Sequence, residues 1–155
     1  MALKDHVYTQ NREEADAPWF LGVVTAVRAT GDETKGEYSL FEQILPPGIG
    51  MPLHVHHNED ESFFVIDGKV TIWIGGQRID ATPGTWVFGP RDVPHAFRGE
   101  GDTPARLLLT LNPSGFESFI YALGEKNEPT APPDMEHVLA VAKQHGVDIF
   151  GGFPD

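Results

Sequence analysis

The sequence contains no cysteine. That absence excludes disulfide bonds and thiolate metal ligands, and it leaves histidine and carboxylate as the side chains able to bind a metal. Positive charge is scarce as well: 11 Lys and Arg stand against 23 Asp and Glu, a formal net charge of −12. Such a surface repels phosphate, so neither nucleic acid nor an anionic membrane is an expected partner. No apolar run approaches the ~20 residues of a membrane-spanning helix. Met1-Ala-Leu-Lys-Asp-His6 also lacks the basic start and apolar core of a secretory signal. A cytoplasmic setting is the expectation.

What the chain does have is turn residues without a repeat: 17 Gly and 13 Pro, which point to many short elements. A length of 155 residues with 40% hydrophobic side chains is expected to form one domain around one core. The first seventeen residues read as a polar arm. A first strand is expected over about 19–28 and a second over 37–45, separated by the breaker-rich Thr30–Gly36 turn. From residue 61 onward Asp67-Gly68, Gly75-Gly76 and Pro83-Gly84 divide the chain into hairpin-length strands, ending with 105–111. Eight or more short strands with no intervening helix argue for an all-β barrel or sandwich over about 19–112. A helical extension over 113–155 completes the domain. In it, Ser114 and Glu117 stand at capping-box spacing before a first helix that Gly124 stops. Pro132-Pro133-Asp134 opens a second helix with Met135, Val138, Leu139 and Ala142 on one face.

The chemistry concentrates between residues 48 and 95. In an extended strand side chains alternate faces, so His54 and His56 point the same way and converge. Asn58 to Asp60 can turn the chain and bring the Glu61 carboxylate back beside them. His95, in Pro90-Arg-Asp-Val-Pro-His95, supplies a fourth group on a segment stiffened by two prolines. Three imidazoles and one carboxylate suit a divalent transition metal better than calcium or magnesium, which prefer oxygen alone. Iron, nickel, manganese, cobalt, copper and zinc all fit that donor set. His57 is out of phase with the pair, and His6, His137 and His145 are read as non-ligands. Phe63 and Val65 are in phase with Glu61, and with Met51, Trp73, Phe88 and Phe97 they form the expected substrate wall.

Gly48-x5-His54-x-His56-x4-Glu61-x6-Gly68 resembles the first motif of the cupin superfamily. Gly84-x5-Pro90-x-Asp92-x2-His95 resembles its second, with Asp92 where glycine is usual and Gly99 where asparagine is usual. The whole arrangement is similar to bacterial single-domain cupins of the quercetin-dioxygenase-like type. The resemblance implies a jelly-roll β-barrel, a bound metal, a homodimer, and a proton-accepting role for Glu61 toward an acidic substrate hydroxyl. It implies a metal-dependent dioxygenase acting with dioxygen on an enolic or aromatic, flavonol-like small molecule. The same four groups equally serve a non-redox isomerase, lyase or cyclase, or a small-molecule-binding barrel without turnover.

Overall fold

A computed structural model of the chain describes residues 7–154. His6 lies outside the described residues. In chain order the strands are β1 (Trp19–Phe20), β2 (Val23–Ala29), β3 (Ser39–Leu45), β4 (Gly50–His56), β5 (Asp60–Asp67), β6 (Lys69–Ile74), β7 (Gln77–Ala81), β8 (Trp86–Gly89), β9 (His95–Glu100), β10 (Ala105–Asn112) and β11 (Val147–Ile149). One sheet runs β1-β2-β3-β10-β5-β8 and the other β11-β4-β9-β6-β7, every pairing being antiparallel. The chain thus crosses repeatedly between two sheets, and their inner faces share one core. This is the jelly-roll barrel that the sequence led us to expect.

Alternation decides which side chains fill it. Along β10, Leu107, Leu109 and Leu111 are buried while Arg106, Leu108 and Thr110 are half-exposed. Facing them, β5 buries Glu61, Phe63 and Val65 and exposes Phe64 and Ile66. Each fully buried Leu or Phe contributes roughly 1.5–3 kcal/mol by leaving water, so a one-residue slip of either strand is strongly disfavoured.

Several elements differ from the expectation. The first strand divides into β1 and β2 because Leu21 and Gly22 both take positive φ, +50° and +82°. The Thr30–Gly36 turn contains a single helical turn, α1 (Gly31–Thr34), capped by Thr30, whose hydroxyl accepts the Asp32 N–H at 3.2 Å. Ser114 does not cap α2 (Glu117–Leu123). The Glu117 carboxylate instead accepts the N–H of Gly31 at 2.9 Å, the N–H of Gly115 at 2.9 Å and the hydroxyl of Ser39, fastening α2 to the β2–β3 connection. In α3 (Met135–Gln144) Val138 and Ala142 are buried, whereas Met135 and Leu139 are exposed, so the packed face is narrower than the expected stripe.

The polar arm is held by its own chain. Gln10 accepts from Arg28 at 2.8 Å and Arg12 reaches Glu42 at 2.7 Å. Glu42, on the outer side of β3, is buried under this arm and is also paired with Arg28 at 2.9 Å and with Arg106. That accounts for a buried carboxylate on the face opposite the core.

Candidate metal centre

His54 and His56 come from β4, His95 from β9 and Glu61 from β5, so the cluster ties one sheet to the other. One donor atom from each of the four lies within 4.8 Å of all the others, and all four residues are buried. His54 and His95 are direct partners across the β4–β9 ladder, with ring centroids 4.4 Å apart. Strict alternation would turn Met51 away from His54. The register slips between Met51 and His54, where three steps on β4 match two on β9, and this bulge at Pro52 and Leu53 resets the parity. Met51, His54 and His56 therefore all face inward.

The bulge also aims a ligand. His54 Nδ1–H donates to the Pro52 carbonyl at 2.6 Å, and His95 Nδ1–H donates to the Val93 carbonyl at 3.0 Å. Carbonyls accept only, so in both rings Nδ1 carries a hydrogen and Nε2 is the atom turned to the centre, an assignment that follows from the hydrogen-bond network. One Glu61 oxygen lies 2.7 Å from His95 Nε2 and 3.0 Å from His56 Nε2. Lone pairs facing a carboxylate at these distances require a shared cation, either a proton or a metal ion. His56 Nε2 lacks hydrogen-bond alignment despite its closeness to Glu61, which fits a ligand atom better than a donor. The donor set thus fits a divalent transition metal.

Protonation follows the same geometry. Burial, together with the charges of His95 and His56, pushes His54 down to about 3, so it stays neutral. Burial also disfavours charge on His56, but Glu61 outweighs it, with Glu59 assisting, and raises the imidazole to about 9. Glu61 is held well below the usual carboxylate range: burial opposes ionisation, and the charge and hydrogen bonding of His56 and His95 overcome it. In the metal-free protein the raised His56 therefore carries a proton at neutral pH.

The structure gives the three carboxylates of the acidic run Glu59-Asp60-Glu61 different surroundings. Glu59 is buried 3.5 Å from His56 Nδ1 and favours the charged form of that ring. Asp60 receives the Arg91 backbone N–H at 2.9 Å and its guanidinium at 3.1 Å. His57 points outward and is clasped by Asp92 at 2.6 Å and Asp148 at 2.8 Å. Asp92 takes the left-handed conformation, φ +65°, in place of the usual glycine, and its N–H donates to the His56 carbonyl at 2.8 Å. Gly99, in place of the usual asparagine, allows no side chain: a Cβ would stand 2.7 Å from the carbonyl oxygens of Leu45 and Pro46. His137 is exposed on α3, and His145 caps that helix with Nδ1 on the Val141 carbonyl at 2.8 Å.

An apolar cavity of about 30 Å³ opens beside the cluster, the space of one or two water molecules. Met51 and Phe97 line it together with His54, His56 and Glu61. Phe63 is core, edge-on to His95 at 5.6 Å, and Val65 is buried further along β5 without reaching the cavity. Trp73 lies on the outer face of its sheet beneath Phe153 and the Arg98 guanidinium, 5.1 Å from its ring. Phe88 is half exposed and stacks on Trp86, because β8 turns its even-numbered residues to solvent. The wall that sequence reasoning missed comes from α2 and the residue before it: Phe116, Phe119 and Ile120 close the cavity, and Val147 and Ile149 of β11 flank it. Only its phenylalanine spacing hinted at this. Gln43 also lines the cavity.

Residues 41–111 match the Cupin domain family. The chain is 28% identical over 100 residues to quercetin 2,3-dioxygenase of Bacillus subtilis (strain 168), covering 64% of this chain and 29% of that protein. It spans between 29% and 60% of the length of the curated relatives it matches. Among solved structures, a predicted oxalate decarboxylase from Thermotoga maritima superposes with TM-score 0.64 at 18% identity, over 68% of this chain and 99% of that one. The polyketide cyclase RemF from Streptomyces resistomycificus superposes with TM-score 0.59 at 19% identity, over 68% and 79%. At those identities the shared property is the fold.

Proposed function

We propose, from the match of residues 41–111 to the Cupin domain family, that the chain is a metal-dependent enzyme, a dioxygenase-like cupin acting on an enolic or aromatic small molecule. One observation carries this reading: three imidazoles and one carboxylate converge within 4.8 Å at the base of an apolar cavity. His54, His56, Glu61 and His95 would hold the ion. When bound, a divalent transition metal supplies Lewis acidity and, if redox-active, a route for dioxygen chemistry.

The chain's own groups do the rest. Glu61, ionised in its buried site, is placed to take the proton of an acidic substrate hydroxyl at its carboxylate oxygen. Met51, Phe97, Phe116 and Phe119 give a ring an apolar lining to pack against. The cavity admits water or dioxygen as it stands, and a larger substrate enters by displacing the α2 side chains. The likeness to quercetin 2,3-dioxygenase supports this class of substrate.

A second reading draws on relatives of polyketide metabolism, CurC of Streptomyces cyaneus, 29% identical over 70 residues, and the fold of RemF. It assigns the centre to non-redox chemistry on an enolate. The deciding experiment is elemental analysis of the protein as isolated, followed by oxygen uptake with 3-hydroxyflavone. A redox metal with stoichiometric oxygen consumption supports the dioxygenase. Turnover of a polyketide-like enol by zinc-loaded protein without oxygen overturns it in favour of the second reading.

A further inference from the structure

Gln43 lies on β3 with its side chain turned inward, 3% exposed, and it lines the same cavity as His54, His56 and Glu61. Its Nε2 donates to Thr25 Oγ1 at 3.1 Å. The Thr25 hydroxyl in turn donates to the Val23 carbonyl at 3.2 Å, so Thr25 Oγ1 has only lone pairs to offer Gln43. That relay fixes which way the amide points: the NH2 group faces Thr25 and the carbonyl oxygen faces the other way. Among the described residues Oε1 has no hydrogen-bond partner. A buried, oriented acceptor without a donor is costly to keep, and it is the pattern expected where a ligand completes the pairing.

We propose that Gln43 is a specificity-determining residue of this site, its carbonyl oxygen accepting a hydrogen bond from a second hydroxyl of a planar aromatic substrate. This rests on the reading of the cavity as an aromatic or enol site. The strand register sets the scale. Gln43 pairs with Leu107 and Glu61 with Leu111 on β10. Four residues at about 3.3 Å each along the strands, with two strand spacings of about 4.8 Å across β10, set the backbones of the two residues roughly 16 Å apart. Their side chains reach into one cavity from these two positions, so the two acceptors address well-separated points of a ligand. The substrate class is therefore a two- or three-ring enol or phenol, with its reacting hydroxyl toward Glu61 and another near its far end. The walls between these two acceptors are apolar, so other polar substituents gain nothing there.

The test uses zinc-loaded full-length protein, which stops oxidative turnover, and measures dissociation constants for 3-hydroxyflavone and its 4′-hydroxyl and 7-hydroxyl derivatives. The wild-type protein is expected to bind at least one derivative tenfold or more tighter than the parent. Gln43→Leu brings that ratio to within about twofold and leaves the parent's affinity unchanged or improved, because an apolar wall rewards a ligand without the hydroxyl. Gln43→Met, closer in shape, carries the same expectation should the leucine variant fold poorly. Thr25→Val frees the amide to turn and gives an intermediate ratio. A merely structural role for Gln43 lowers affinity for all three ligands alike, and that outcome overturns the assignment. So does a wild-type ratio near one. Failure of all three to bind the wild-type protein rejects the aromatic-substrate reading itself, and the Gln43 role with it.

Discussion

Charge on single side chains gives the cluster its clearest signatures. In the metal-free protein His56 is raised to about 9 from an ordinary 6.5, so its ion pair with Glu61 contributes stability that is complete below 6.5 and is lost as pH rises through 9. His54 acts in the other direction. Below 6.5 the unfolded chain takes up a proton that the folded chain, with His54 near 3, refuses, so stability falls with pH there. Glu61, held low, adds to that acid loss below its ordinary 4.5. Metal-free protein should therefore be most stable near pH 6.5, which urea midpoints measured across pH in a chelator will show. At pH 7 the metal must displace the His56 proton, and titration calorimetry in buffers of different ionisation enthalpy should report release of about one proton per ion. His54→Ala or His95→Ala should lower metal affinity at least about a hundredfold, since even supporting contacts are worth ten- to a hundredfold. Unchanged metal per chain would reject the ligand assignment. Glu61→Gln, which keeps one oxygen donor and removes the base, should lose more activity than metal. At this scale histidine phase and the Glu61 spacing were legible in the sequence. The buried roles of Glu59 and Gln43 were not, because nothing local distinguishes a carboxylate folded under a histidine from one in solvent.

Strands and helices carry a different lesson, and the β4 bulge states it. Alternation places His54 with His56 correctly, yet it would have turned Met51 to the other face; the inward set exists because Pro52 and Leu53 absorb one extra step. Deleting Leu53 removes that step and should abolish metal binding while much of the barrel remains. Circular dichroism beside metal analysis will separate the two effects. Retained metal in that variant would show that the ladder can re-register. The α2 wall follows from tertiary packing, with Phe119 edge-on to Phe20 at 5.2 Å and to Phe116 at 5.4 Å. Phe119→Ala should cost about 3 kcal/mol in urea unfolding and enlarge the cavity. The strand boundaries were readable from Gly and Pro dipeptides, whereas the short β11 was not, being three residues whose strand character comes only from pairing with β4.

At the scale of the molecule the barrel was legible because turn spacing and apolar alternation agreed along most of its length. The expected dimer concerns surface rather than core. Phe64, Ile66, Trp86 and Phe88 are exposed together on the outer side of β5 and β8, with β8 at the edge of its sheet, whereas β10 shows a more mixed outer face. Self-association through the β5–β8 face is the expected outcome. Light scattering should give twice the chain mass, and Trp86→Glu should return the monomer without disturbing metal content.

The pairing of β11 with β4 sets the order in which the centre can be completed. Val147 stands opposite His56 and Ile149 opposite His54, so the strand bearing two ligands has its outer edge covered by residues translated about ninety positions later. A nascent chain can zip β4 to β9 as soon as residue 100 clears the ribosome. It cannot shield the ligand strand until residue 149 does, and during that interval the half-built centre is open to whichever ion the surroundings supply.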